Sequence, residues 1–356
     1  HTVLLRSNGV AVACGRNRSG QCDLPPLGHG ESYAQVAAGD SHTVLLRSDG
    51  RAVACGNNAA GQCGLPAGAY TGVAAGARHS VLLRGDGRAV ACGNNASGQC
   101  DLPEPEPGAG YVQVAAGERH TVLLRCDGRA VACGSNDHGQ CDLPPGAGYV
   151  QIAAGDRHTV LLCGDGSAVA CGSNEDGQCD LPEPGPGVGY AQVAAGFAHT
   201  VLLRSNGVAV ACGRNRSGQC DLPPLGHGES YAQVAAGDSH TVLLRSDGRA
   251  AACGNNAYGQ CDVPGADAYL ASGVQRDLVL QLKVERGHDN HTAECRSLLT
   301  GGTVAAWTIA DAALGARALW HVRSELSRPG VRVRIVMGNG SLLPEQSTWA
   351  ELVQAC

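Results

Sequence analysis

YAQVAAGDSHTVLLRSDGRAVACGNNAAGQCGLP, from Tyr33 to Pro66, holds three short apolar runs separated by glycine turns. Gln35-Val36-Ala37-Ala38 ends at Gly39, His42 to Arg47 ends at Asp49-Gly50, and Ala52 to Cys55 ends at Gly56. Runs of this length between such turns read as strands. Asp-Gly between two of them is the strongest short-range hairpin signal, for a two-residue turn whose central residues both need positive φ. Val44, Leu45 and Leu46 are consecutive, so the middle strand is apolar on both faces and needs a cover on each side.

The unit recurs seven times, anchored on His1, His42, His79, His120, His158, His199 and His240, at intervals of 41, 37, 41, 38, 41 and 41 residues. Asp-Gly or Asn-Gly closes every hairpin. Small sheets that each need covering on two sides are satisfied by stacking around an axis, and strands rich in Ala, Gly and Cys let neighbouring sheets approach closely. The first unit lacks its Val-Ala-Ala-Gly strand. Tyr269-Leu270-Ala271-Ser272-Gly273, after Pro264, copies it. Leu270 to Gly273 is therefore expected beside the His1 to Leu5 strand, closing the first blade and removing an open edge. The expected architecture is an all-β, seven-bladed β-propeller over residues 1–275.

The pattern Ala-Ala-Gly-x-x-His-Thr-Val-Leu-Leu-Arg-x-Asp-Gly, followed by Cys-Gly-x-Asn-x-x-Gly-Gln-Cys-Asp-Leu-Pro, resembles the repeat of the regulator of chromosome condensation family over residues 1 to about 273. That resemblance implies a seven-bladed propeller. It also implies one candidate activity, guanine-nucleotide exchange on a small GTPase. Exchange needs a wedge inserted in a blade, and the near-uniform intervals leave no room for one. A second implied relation is to ubiquitin ligases that join these repeats to a HECT domain, and no catalytic segment of that kind is present.

The 356 residues carry a net charge of −6, which gives no basic footprint for nucleic acid. No run of about 18 apolar residues occurs and the start has no signal-peptide pattern, so neither a membrane nor export is expected and the location reads as intracellular, cytoplasm or nucleus. The chain opens at His1, inside the repeat, and reads as a fragment.

Beyond about residue 290 the composition changes and the period stops. Residues 276–291 read as a linker or an extra strand. Residues 292–356 read as a small α+β ubiquitin-like (β-grasp) domain: a hairpin of Cys295 to Leu299 and Thr303 to Ile309, a helix from Asp311 to Leu326 and a strand from Val331 to Met337. The order resembles the start of the ubiquitin fold, with Leu342 and Thr348 to Leu352 resembling its later part. Leu319, Val322 and Ile335 are expected inside, and Val336 on a recognition surface.

Fourteen of the 18 cysteines form seven Cys-x7-Cys pairs such as Cys14/Cys22 and Cys133/Cys141. The pairs follow the blade period rather than the spacing of zinc ligands, and read as buried structural thiols, with disulfides as the alternative. Cys126 and Cys163, at turns, are the more exposed candidates. The repeat histidines read as structural hydrogen-bonding groups, Glu175 and Asp176 as solvated loop carboxylates, and the glycine loops lack the phosphate-binding pattern. No catalytic residue, metal or cofactor is assigned.

What remains is an interaction scaffold whose function sits in the variable loops of a rigid frame. The partner is expected to be a protein, with a small GTPase or a ubiquitin-pathway protein as candidates. Arg119 with Asp137, and Arg157 with Glu175 and Asp176, are expected to cancel. Arg16, Arg18, Phe197, Arg214, Arg216 and Tyr258, opposed mainly by Asp238, are expected on neighbouring blades as an arc for an acidic protein surface.

Overall fold

The computed structural model describes residues 1–263 in full and, beyond them, the backbone of five strands: Tyr269–Ala271, Arg276–Arg286, His291–Ser297, Thr303–Ile309 and Val331–Met337. Two compact units divide the chain, His1–Val274 and Gln275–Cys356.

The first unit contains seven three-stranded antiparallel sheets. The unit quoted above is one of them, with Tyr33–Ala38, His42–Arg47 and Ala52–Gly56 in that order. Numbered from the N-terminus, the first blade has Thr2–Arg6 in its centre, Ala11–Cys14 on one side and Tyr269–Ala271 on the other, paired Leu5 to Leu270 and Leu4 to Ala271. The C-terminal strand expected at the His1 strand is there.

Period-two alternation explains the packing. In the middle strand of blade two, Val44 and Leu46 face blade three, where they meet Tyr70, Val73 and Leu82. Leu45, between them, points back to blade one and meets Val3 and Leu5. The rule repeats round the ring, and Leu4 of blade one packs on Val242 and Leu244 of blade seven. Each fully buried Leu contributes roughly 1.5–3 kcal/mol of apolar burial.

The close approach of blades needs glycine at the end of each first strand. A Cβ on Gly39 would lie 2.3 Å from the Gly76 carbonyl oxygen of the next blade and 2.5 Å from Cε1 of His42. The hairpins differ from the expected turn. Gly50 N–H donates to the Arg47 carbonyl at 3.0 Å and Arg47 N–H to that of Arg51 at 2.8 Å, with Gly50 at φ +86°. Ser48 and Asp49 therefore occupy the centre of the turn and Gly50 the left-handed bulge after it, a three-residue loop rather than a two-residue one. Asp49 Oδ1 accepts from Arg51 N–H at 2.9 Å, which is why Asp precedes the glycine.

The second unit shows a four-stranded sheet in the order Thr303–Ile309, His291–Ser297, Arg276–Arg286, Val331–Met337. Its last pair is parallel and the others antiparallel. The expected hairpin and final strand are present as strands, and the stretch from residue 276 is a strand inside this sheet. The helix expected at Asp311 to Leu326, with Leu319, Val322, Leu342 and the stretch Thr348 to Leu352, lies outside the described residues. So do the side chains of Ile335 and Val336.

Candidate protein-interaction face

Each blade contributes the same polar rivet. His42 Nε2 lies 3.0 Å from Ser80 Oγ of the next blade, and that hydroxyl donates to the Gln62 carbonyl at 2.7 Å. A hydroxyl whose proton is already given can only accept, so the ring proton sits on Nε2 and Nδ1 is left as a bare acceptor. The series runs His1 to Thr43, His42 to Ser80, His79 to Thr121, His120 to Thr159, His158 to Thr200, His199 to Thr241 and His240 back to Thr2. Burial holds the imidazoles neutral: His42 and His240 are pushed down to about 4 and His120 to about 3. They are structural groups, as their repetition suggests.

The loop after the third strand is organised by its asparagine. Asn17 Oδ1 accepts from Cys22 N–H at 2.8 Å, while its amide donates to Asp23 at 2.7 Å. Gln21, almost fully buried, folds back to accept from Ser19 N–H. The same bonds recur at Asn95, Asn136, Asn174, Asn215 and Asn256. The Gly-x-Asn-x-x-Gly-Gln pattern therefore builds a fixed frame, and only its unnamed positions are free to vary. The loop then docks on the following blade, where Tyr33 donates to the Pro25 carbonyl at 2.6 Å.

The described cysteines are free and half-buried, Cys126 and Cys163 included. Strand thiols face carbonyls of the preceding loop, as Cys55 Sγ faces Gln21 at 3.6 Å. Burial first, and the neighbouring Cys63 sulfur next, push the Cys55 thiol up to about 11. Such thiols are poor nucleophiles at neutral pH. Among the described residues no group of three or more His, Cys, Asp or Glu is placed to hold a metal ion, and no helix is long and apolar enough to cross a membrane.

The first-strand glycines and the asparagine loops reach one face, where a cavity of about 330 Å³ opens on the axis. Arg16, Phe197, Tyr258, Asp40, Asp156 and Asp238 all border it. Arg16 and Arg18 lie 5.6 and 5.8 Å over the Tyr258 ring, and Arg214 lies 5.6 Å over Phe197. Arg216 is exposed beside Arg214 on the same loop. Two groups of the expected arc are thus in contact, Arg16 and Arg18 with Tyr258 and Arg214 with Phe197, while Val336, expected on a separate surface, belongs to the other unit and pairs in register with Gln281.

The neutralised sector is built differently from the expectation. Glu118, not Asp137, Glu175 or Asp176, takes the two arginines, at 3.3 Å from Arg119 and 3.5 Å from Arg157. Asp137 instead accepts from Ser135. Sequence reading also missed that Asp40, Glu118, Asp156 and Asp238 share the position after Ala-Ala-Gly and so crowd one mouth. Desolvation and mutual repulsion push Asp40 up to about 6 and Asp156 up to about 8. The signal was available, since a position repeated once per blade projects at the axis each time.

The profile of the Regulator of chromosome condensation (RCC1) repeat matches residues 33–62, 70–99, 111–140, 149–178, 190–219 and 231–260. No curated protein matches the sequence. Among solved structures, Prp20p from Saccharomyces cerevisiae, described with its binding to Gsp1p and histones, superposes with a TM-score of 0.60 at 17% identity, over 76% of this chain and 84% of that one. Human WBSCR16 gives 0.53 at 20% identity, over 62% and 74%. The ectodomain of the Arabidopsis thaliana receptor kinase ACR4 gives 0.53 at 20%, over 79% and 96%. At these identities the likeness is one of fold. Six profile matches covering half of the chain, on blades of one repeated design, make it a member of the Regulator of chromosome condensation (RCC1) repeat family.

Proposed function

We propose that this protein is a non-enzymatic scaffold that holds a protein partner on the propeller face bearing Arg16, Arg18, Phe197, Arg214, Arg216 and Tyr258. One observation carries the reading: these arginines have no ion-pair partner among the described residues and Arg16, Arg18 and Arg214 lie over exposed aromatic rings, while Arg119 and Arg157 on the same face share an ion pair with Glu118. Arginine and aromatic side chains together are the usual composition of interface hot spots. The frame beneath them is a complete ring of seven blades in this reading, supported by the return of the His–Thr series to Thr2.

The division into a propeller to residue 275 and a separate C-terminal domain belongs to the same proposal, as does an intracellular location, which the free thiols support. The C-terminal unit offers a second docking edge: Val331–Met337, with Val336, is the outer strand of its described sheet.

The test is affinity capture with mass spectrometry from cells, comparing the wild-type chain with Arg16→Glu/Arg18→Glu/Arg214→Glu/Arg216→Glu. Proteins held by the first and lost from the folded variant support the reading, and an unchanged set removes it. Enrichment of one small GTPase would instead favour nucleotide exchange, and ubiquitin-pathway enzymes the ligase relation.

A further inference from the structure

Residues 1–52 and 199–250 are identical in sequence. The repeat places the same Gly-Arg-Asn-Arg loop twice on one face, as Arg16 with Arg18 in blade one and Arg214 with Arg216 in blade six. The two loops are furnished alike by different neighbours. Tyr258, from the loop of blade seven, lies under both arginines of the first. Phe197, from the turn before the His199 strand, lies under Arg214 of the second. Both rings border the same axial cavity, so the loops flank one mouth.

We propose that the arc is bivalent: one acidic segment of a protein partner engages both loops at once, with a cluster of carboxylates on each. The inference rests on the docking reading above and says how that face is used. Charge complementarity selects the occupant. Four arginines with no ion pair among the described residues, only Arg16 having a carboxylate, Asp238, near it, call for carboxylates, and a guanidinium held over a ring is already oriented to meet one with paired hydrogen bonds. Asp40 and Glu118, on blades outside the arc, disfavour such a segment there, while Asp156, pushed up to about 8, carries little charge at neutral pH and Asp238 lies within the arc beside Arg16. Joining two weak contacts in one chain makes the second intramolecular, so affinity rises steeply once the joining length spans the two loops.

The experiment uses the full chain and two labelled peptides of equal length and charge. One carries a block of about eight glutamates at one end of a Gly-Ser chain; the other carries about four at each end, with the Gly-Ser stretch varied from about 5 to about 30 residues. At a spanning length the split peptide is expected to bind at least about tenfold more tightly than the block peptide. Arg16→Glu/Arg18→Glu or Arg214→Glu/Arg216→Glu alone should erase that difference while leaving the propeller folded by circular dichroism. Arg→Gln versions of each pair, which keep side-chain bulk, should do the same. Equal affinity of the two peptides for the wild-type chain at every length overturns bivalence and leaves the docking reading standing. No binding of either at millimolar concentration overturns both. A single-stranded oligonucleotide of equal charge that outcompetes both peptides overturns the assignment to an acidic protein segment.

Discussion

The two identical segments, residues 1–52 and 199–250, are the same chain folded in two settings. Inside, they match except at one glutamine: Gln35 bonds the Val73 backbone, whereas Gln233 Oε1 is buried without a hydrogen-bond partner among the described residues. Val3, Leu5, Tyr33, Val36 and Leu45 form one core cluster, and Val201, Leu203, Tyr231, Val234 and Leu243 form its copy. Ser32 and Ser48 are hydrogen-bonded at 3.0 Å, as are Ser230 and Ser246, and Gly28 and Gly226 each donate to a glutamate at 2.7 Å. Outside, they diverge. Arg16 is exposed and shares Tyr258 with Arg18, whereas Arg214 is half-buried on Phe197, and neither ring belongs to the duplicated stretch. Asp40 and Asp238 diverge too. Both are raised by desolvation, but Asp40 is pushed further up by the carboxylates of Asp238 and Glu118, against Arg78, whereas Asp238 has Arg16 pulling the other way. The core between two blades is thus the same in both copies, and the chemistry of the loop tips is set by residues outside them.

The largest effect expected is on pH, and it tests the common interior. His42 and His240 occupy the same place in the two copies and both are pushed down to about 4. As pH falls below 6.5 the unfolded chain takes up protons before the folded one does. The stability tied to these rings is full above about 6.5 and is lost as pH falls towards 4. Asp40 and Asp156, raised to about 6 and about 8, act in the opposite sense, losing stability as pH rises through those values. Asp238 is raised as well, and six depressed imidazoles outweigh these three carboxyls. Urea midpoints should therefore peak near neutrality and drop steeply from pH 6.5 to 4. A propeller that grows more stable at pH 5 would show the rings to be charged or open to water.

Next in size is the core itself. Leu45→Ala and Leu243→Ala each leave a cavity in one of two clusters with the same buried residues, differing in the cross-strand partner, Val53 or Ala251, and each should cost about 3 kcal/mol in urea unfolding. The two values should agree within about 0.5 kcal/mol, the usual scatter for independent sites. A difference above about 1 kcal/mol would mean that the partner outside the duplicated stretch, Val53 or Ala251, reaches into the core and sets its cost.

How far the sequence could be read follows the same line. Val44 and Leu45 announced a strand covered on both sides because period-two alternation is local, and Tyr269–Ala271 announced closure because it copies a missing piece. The turn type was misread, since Asp49-Gly50 alone does not say whether Ser48 is counted into the loop; that depends on strand register. Glu118 was missed as the partner of Arg119 and Arg157 because the pairing with Arg157 crosses from one blade to the next, and sequence distance says nothing about that step. The arc was legible from loop composition; what lies under each arginine was not.

The smallest effect probes that last point. Tyr258 of the second copy's continuation stands where the first has Ala60, so Tyr258→Ala makes the two continuations alike at this position. The ring is 49% exposed, and removing it should cost about 0.5–1 kcal/mol or less, the range for cation–π contacts in water. Its consequence for binding should be larger than for stability, because Arg16 and Arg18 lose the surface that orients them while Arg214 keeps Phe197. In the split-peptide titration Tyr258→Ala should weaken binding by about three- to tenfold and Phe197→Ala by a similar factor. If Tyr258→Ala changes stability but leaves peptide affinity untouched, the neighbour's ring is packing alone, and the two loops are equivalent from their own sequence after all.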